Sequence, residues 1–208
     1  MPRAGSRRRT GASRDARRRL LDAAATLLAT KGYASATARA IGDEAGCNQA
    51  LVFYHYGTLN ELLLAALDAS SRDRLQRYRA ELENASGLRD VLGVARTLYQ
   101  TDRESGHINL VAQMMAGGVV DRDLGRQVAD RIEPWVELTR HAIHKALPAA
   151  VHRRLPVGDI AYVIVAMALG AELLAILSGN HGRTQAALDR ISSNRRLLRG
   201  LLAAGDTQ

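Results

Sequence analysis

Only one cysteine, Cys47, stands in the 208 residues, so no internal disulfide can form, and the chain suits a reducing compartment. Aromatic residues are nearly as scarce, with one Phe, one Trp and 4% aromatics in all, and there are four prolines. No extended alternation of Val, Ile and Thr is present, which removes the usual material of β-strands. Abundant Ala, Leu and Arg point instead to an all-α chain. Catalytic signatures are missing too: there is no G-x-S-x-G, no Walker A and no H-E-x-x-H. An enzyme is therefore not expected, nor a cofactor. His141 and His144 have the i, i+3 spacing that two metal ligands can share, but no third ligand is recognisable, and no metal is expected. The Arg-rich first twenty residues lack the apolar stretch of a secretory signal, which makes the cytoplasm the expected location.

What is plentiful is positive charge, nearly all of it arginine. The net charge is +8 and the isoelectric point about 10.3, a balance suited to a polyanionic partner such as nucleic acid or an acidic membrane surface. Residues 1–56 hold ten Lys/Arg against four Asp/Glu, a net +6, while the rest of the chain is close to balanced. The Arg-rich run Arg190, Arg195, Arg196 and Arg199 reads as a solvated face rather than a second nucleic-acid site. One segment, Ile160 to Leu177, has membrane-span character with Glu172 as its only charge, but it reaches only the short end of spanning length. A helix apolar all round can equally be buried in a subunit interface, and that is the expectation here, with no membrane partner.

Residues 1–12 mix Gly, Pro, Ser and clustered Arg without periodicity, which predicts a flexible basic arm, either an inert solvated tag or a source of phosphate contacts. From Ser13, which is placed to cap, Leu20, Leu21, Ala24, Leu27 and Leu28 recur at helical spacing until Gly32. Thr37 is placed to cap a short helix over residues 38–45, Gly46 supplies a tight turn, and Asn48 is placed to cap a third helix ending near His55. Thr58-Leu-Asn-Glu61 has the pattern of a capping box opening a long helix to about Glu83. Coarser signals predict helices over 88–103, 107–116, 124–147, 157–178 and 183–202, about nine in all, with breaks at Gly117-Gly118 and Pro148 and a break or restart at Pro134. The expected division is an arm over 1–12, a helix-turn-helix domain over 13–57 and a helical regulatory and dimerisation domain over 58–208.

Small Ala and Gly at the close crossing, apolar anchors inside and polar or aromatic residues outside give residues 37–56 helix-turn-helix spacing, and the second helix of such a unit fits the DNA major groove. The run GCNQALVFYHYGTLNELL, with the Leu20-Leu21-Asp22-Ala23-Ala24 ladder before it, resembles the signature of the TetR family of repressors over roughly residues 14–64. That resemblance implies a DNA-binding transcriptional regulator, most simply a repressor released from a double-stranded operator by a small-molecule effector. It places Gln49, Ala50, Leu51 and Phe53 facing bases, Asn48, Tyr54 and His55 near phosphates, and Thr37 and Arg39 at positions that touch DNA in relatives. Gln suits adenine and an apolar Leu the thymine methyl. Where the family often has a Lys, this chain has Gly57-Thr58-Leu59, so the corresponding phosphate contact passes to Thr58 and the helix N-terminus. Val52, Ile41, Ala45 and Cys47 read as core, and Tyr56 as packed against the fourth helix.

For the rest of the chain, the resemblance implies a homodimer through the last two helices, with Ala161, Ala166, Ala168, Gly170 and Ala171 allowing close approach. An effector pocket would draw on Tyr99, Asn109, Gln113, Met114, Trp135, Thr139 and Met167, for each of which ordinary packing is the competing reading.

Overall fold

The computed structural model describes the backbone of residues 4–180, 182, 183, 186, 189 and 190, and the side chains among them except at 4–12, 103 and 152. Among these residues all regular structure is helical. The order is α1 (Ala4–Lys31), a 3-10 turn (Tyr33–Ser35), α2 (Ala38–Glu44), α3 (Ala50–Tyr56), α4 (Leu59–Glu83), α5 (Leu88–Glu104), α6 (His107–Val120), α7 (Arg122–Ala146), α8 (Ala149–His152) and α9 (Val157–Ser178). The helix expected over 183–202 lies mostly outside the described residues. Two compact units are formed, one from Met1–Ser71 with Gln113–Ala129 and one from Arg72–Ala112 with Asp130–Gln208. Position 58 therefore marks the start of α4, which runs on through the first unit, rather than the edge of a unit.

In the first unit, Leu20, Leu27, Leu28, Ile41, Val52, Leu62, Leu63, Met114 and Leu124 are fully buried. Long apolar side chains repeating at three and four residues give each helix one inward stripe, and α1 packs on the 3-10 turn, α2 and α3. The 3-10 turn follows Gly32, whose φ of +81° is costly for any residue with a Cβ, and its first N–H, from Tyr33, donates to the Gln113 side-chain oxygen at 3.0 Å.

Three expectations change. α1 begins at Ala4, so residues 4–12 of the segment expected as a flexible arm continue the helix, while 1–3 lie outside the described residues; Arg and Ala are good helix formers, and Gly5 and Gly11 lower helix stability by only about 1 kcal/mol each. Gly117-Gly118 does not end α6, because these glycines serve close packing: a Cβ on Gly117 would meet the Tyr33 ring at 2.5 Å, and one on Gly118 would meet the Gly125 Cα at 2.7 Å. Pro134 sits inside a continuous α7, with buried Val128 on one side and Val136 and Leu138 on the other holding the helix together despite the lost N–H.

The second unit has an apolar cluster of Tyr78, Leu82, Ala85, Val91, Leu138 and Ala146, flanked by Trp135 and Leu98. Polar groups lie buried beside it. Asp102 accepts from Arg74 Nε at 2.8 Å and from the Tyr78 hydroxyl, and the His107 ring lies 5.5 Å from that of Trp135. Burial, reinforced by the Arg74 charge, pushes the His107 imidazole down to about 3. The unfolded chain, with an ordinary His value near 6.5, then binds the proton that the fold refuses. His107 thus favours the fold fully above pH 6.5, and its contribution is lost as pH falls below that value. We expect a loss of about 2 kcal/mol in unfolding free energy between pH 8 and pH 5, read from urea titrations, and a much smaller loss in His107→Gln. Equal losses in both chains would acquit this residue. Asp102, raised by burial against the pull of Tyr78 and Arg74, acts in the opposite sense nearer pH 4.

Candidate nucleic-acid interface

α2 is started by Thr37, whose hydroxyl accepts from the Ala40 N–H at 3.2 Å. It ends in a turn where Cys47 N–H returns to the Gly42 carbonyl at 2.8 Å, with Gly46 at φ +60°. Asn48 Oδ1 then accepts from the Ala50 N–H at 2.8 Å, which starts α3 one or two residues after the expected position. α2 and α3 cross closely at Gly42: a Cβ there would lie 2.9 Å from the Cys47 carbonyl oxygen and 3.1 Å from the Gln49 Cα. The Cys47 thiol donates to the Ala45 carbonyl at 3.5 Å, a local turn contact.

α3 has two sides. Val52 and Tyr56 are buried, while Gln49, Ala50, Phe53 and Tyr54 are exposed and Leu51 and His55 half-buried. An aromatic pair at 52% and 77% exposure on a seven-residue helix is unusual for a surface that meets only water. Tyr54 and His55 stack edge to face, with centroids 4.9 Å apart. Asn48, Thr37 and Arg39 are exposed as well, Arg39 lying 4.0 Å from Asp43 in a solvated i, i+4 pair that leaves its charge available. The structure therefore gathers the residues assigned to DNA in the helix-turn-helix on one short segment, with Leu51 and His55 at its edges.

Tyr56 makes a contact that the sequence did not signal. Its hydroxyl donates to the Arg17 carbonyl on α1 at 2.8 Å, and the Arg17 guanidinium stands 4.9 Å from its ring centre. Burial raises the phenol above its usual range, with Arg17 pulling the other way. The end of α3 is thus pinned to α1, a link that no local spacing signals. Thr58 forms the capping box expected of it. Its N–H donates to Glu61 Oε2 at 3.0 Å and its hydroxyl accepts from the Glu61 N–H at 3.1 Å. A carboxylate thus occupies the α4 N-terminus, where a phosphate was expected, and like charge opposes a phosphate there. Asp121 went unnoticed in the sequence: it caps α7 through the Asp123 and Leu124 N–H groups and accepts from Asn60 Nδ2 at 2.9 Å, which holds its carboxyl below the usual range.

The residues considered for an effector are divided between the two units. Gln113 and Met114 belong to the first, one bonded to Tyr33 and the other fully buried. In the second, Tyr99 donates to Glu172 at 2.9 Å, Thr139 donates to the Trp135 carbonyl, Asn109 is half-buried and Met167 is 61% exposed on α9. Among the described residues no group of His, Cys, Asp and Glu is arranged to hold a metal.

Residues 20–66, from the middle of α1 into α4, match the family model for bacterial regulatory proteins of the tetR family. None of the curated proteins matches the chain. Among solved structures, it is similar to the fatty acid degradation regulator FadR from Bacillus halodurans, with TM-score 0.69 and 12% identity over 88% of this chain and 93% of the other. A TetR-family transcriptional regulator from Mesorhizobium loti gives TM-score 0.67 and 20% identity over 92% and 97%. The multidrug binding protein EbrR, complexed with imidazole, gives 0.56 and 22% over 84% and 93%.

Proposed function

With residues 20–66 belonging to the tetR family of bacterial regulatory proteins and the whole chain folded like that family's regulators, we propose that this protein is a repressor that occupies a DNA operator as a homodimer and leaves it when a small molecule binds. The observation that carries the reading is the exposed face of α3, Gln49, Ala50, Phe53 and Tyr54, on a helix whose other side is locked by the Gly42 crossing and the Tyr56 to Arg17 bond. A rigid helix with a polar and aromatic outer face is what direct readout in the major groove requires.

Dimerisation supplies what one such helix lacks. A single recognition helix reads few base pairs, whereas two placed about 34 Å apart read successive grooves. α9 offers the surface. Val157, Ala161, Glu172 and Ala175 form the stripe it buries on its own chain, and Tyr162, Met167, Leu173, Leu174 and Leu177 stand open around the rest. Length and composition alone would also let α9 cross a membrane. Its buried Glu172, bonded to Tyr99, favours a helix held on its own domain and sealed by a second copy. An effector would act by favouring a conformation whose recognition helices are wrongly spaced for the grooves. That EbrR, which has a similar fold, is complexed with imidazole supports a small-molecule effector, and the second unit is where we place its site here.

The test is fluorescence anisotropy with a duplex from the intergenic DNA upstream of the protein's own gene, against a scrambled duplex. Tight binding selective by about 10³ or more is expected, abolished in the Gln49→Ala/Phe53→Ala double variant. Selective binding that survives the double substitution would remove α3 as the reader. A chain that selects no duplex, there or in a genomic library, is not a repressor.

A further inference from the structure

No Lys, Arg, Asp or Glu stands between Asn48 and Tyr56, and Arg39, the only Lys or Arg between Thr37 and Tyr56, belongs to α2. What α3 and the residue before it expose is a carboxamide, a methyl group and two rings, from Gln49, Ala50, Phe53 and Tyr54. Gln49 already has helical backbone angles, φ −54° and ψ −27°, so helical spacing applies from that residue onward. Phe53 then stands four residues from Gln49 and three from Ala50, which makes both its neighbours on one face. That face covers about 6 Å of helix, the rise of about two stacked base pairs.

The nearby alternatives are otherwise engaged. Asn48, the other carboxamide, caps the helix, its Oδ1 accepting from the Ala50 N–H at 2.8 Å. Leu51, to which the sequence gave the thymine contact, is half-buried at the edge, and Ala50 and Phe53 are the exposed apolar groups in its stead. Base edges in the major groove differ in what they ask for. Guanine shows two acceptors, met best by the donors of Arg or Lys, and cytosine an amino group, met by a carboxylate. Adenine shows an acceptor beside a donor, the pattern a glutamine carboxamide matches, and thymine carries a methyl group that takes an apolar partner. The three clustered side chains suit A·T pairs, and no cation or carboxylate on α3 favours G·C.

We propose that the half-site read by α3 is built on adjacent A·T pairs, with Gln49 bonding adenine N6 and N7, and Ala50 and the Phe53 ring packing on thymine methyl groups. The proposal rests on α3 being the DNA-reading helix and names what that helix selects; its test separates the two. Full-length protein enriches duplexes from a randomised library, and the preferred duplex is remade with single groups changed at its conserved A·T steps. Deoxyuridine in place of thymidine deletes only the methyl, and 7-deazaadenine deletes only the N7 acceptor. Anisotropy at about 50 mM KCl, where backbone contacts keep weakened variants measurable, is read for the parent, Phe53→Ala and Gln49→Ala on each duplex. Every comparison is made within one chain, so a general loss of stability cancels.

Conserved A·T steps are expected in each half-site. Uracil is expected to weaken the parent roughly 4-fold for each contacted methyl, as burial of one methyl implies, and to change Phe53→Ala much less. 7-Deazaadenine is expected to weaken the parent about 3- to 10-fold and Gln49→Ala by about 2-fold or less. Conserved G·C pairs at the positions whose preferred base changes in Gln49→Ala or Phe53→Ala would overturn the proposal and leave α3 as the reader. So would a parent indifferent to both altered bases. Penalties that persist undiminished in both variants also overturn it, since another element would then hold those bases. If no duplex is enriched, the repressor function falls and this proposal with it.

Discussion

A Gly42→Val chain is expected to lose selective DNA binding by more than 100-fold and to unfold on the order of 10 °C lower than the parent, because the substitution acts on the backbone of the reading helix. A Cβ at this position would lie 2.9 Å from the Cys47 carbonyl oxygen and 3.1 Å from the Gln49 N and Cα. These are main-chain atoms, which cannot rotate aside as a side chain would. α3 must therefore move away from α2, and overpacking of this kind costs about 1–3 kcal/mol before the two further methyl groups are counted. Helix propensity pulls the other way, since losing a mid-helix glycine gains up to about 1 kcal/mol, too little to offset the clash. Gly93→Ala in α5 isolates that gain, because nothing lies within 4 Å of its Cβ position. Thermal unfolding and anisotropy of both variants decide the matter. If Gly42→Val binds and melts like the parent while Gly93→Ala is more stable, the α2–α3 crossing is looser than the distances describe.

Much of the helix-turn-helix segment was legible because its signals are local. Thr37, Asn48 and the Thr58–Glu61 pair were identified as caps from side chains lying within three residues of the N–H groups they serve, and the structure forms each bond. Which side of α3 faces out was implied by the family resemblance, and Val52 and Tyr56 are buried on its other side. What stayed hidden is held by partners far along the chain. The Tyr56 bond to Arg17 spans 39 residues, that of Tyr33 to Gln113 spans 80, and Asn60 to Asp121 spans 61. No periodicity encodes such pairs.

Glycine was the most ambiguous letter. Gly46 and Gly57 punctuate turns with φ of +60° and +80°, as sequence rules suggest, whereas Gly117 and Gly118 lie inside α6 to admit Tyr33 and Gly125. The same residue type ends one helix and lets another pack closely, and only the neighbours distinguish the two. Thr58 shows a related limit. Its capping role was readable, but the consequence was not drawn that Glu61 then places negative charge where a phosphate contact was assigned.

Replacing Leu174 and Leu177 together by Glu is expected to leave a folded but monomeric chain that binds the operator duplex at least 100-fold more weakly. These side chains are 68% and 75% exposed on the open side of α9, opposite the stripe that carries Val157, Ala161 and Ala175, so neither supports the fold of its own chain. At a subunit seam each would be sealed from water, and two buried like charges per subunit would oppose association by several kcal/mol. Loss of the dimer removes the second recognition helix, and a half-site contact retains little of the affinity of a full one. Sedimentation equilibrium, helicity by circular dichroism and anisotropy on the same duplex give the three readouts. A parent dimer that persists in the double variant with unchanged affinity would place the seam elsewhere. Should the parent itself be monomeric yet bind selectively, a two-fold operator complex is the wrong picture. If the parent sediments with membranes and the variant does not, α9 meets lipid instead of its own copy.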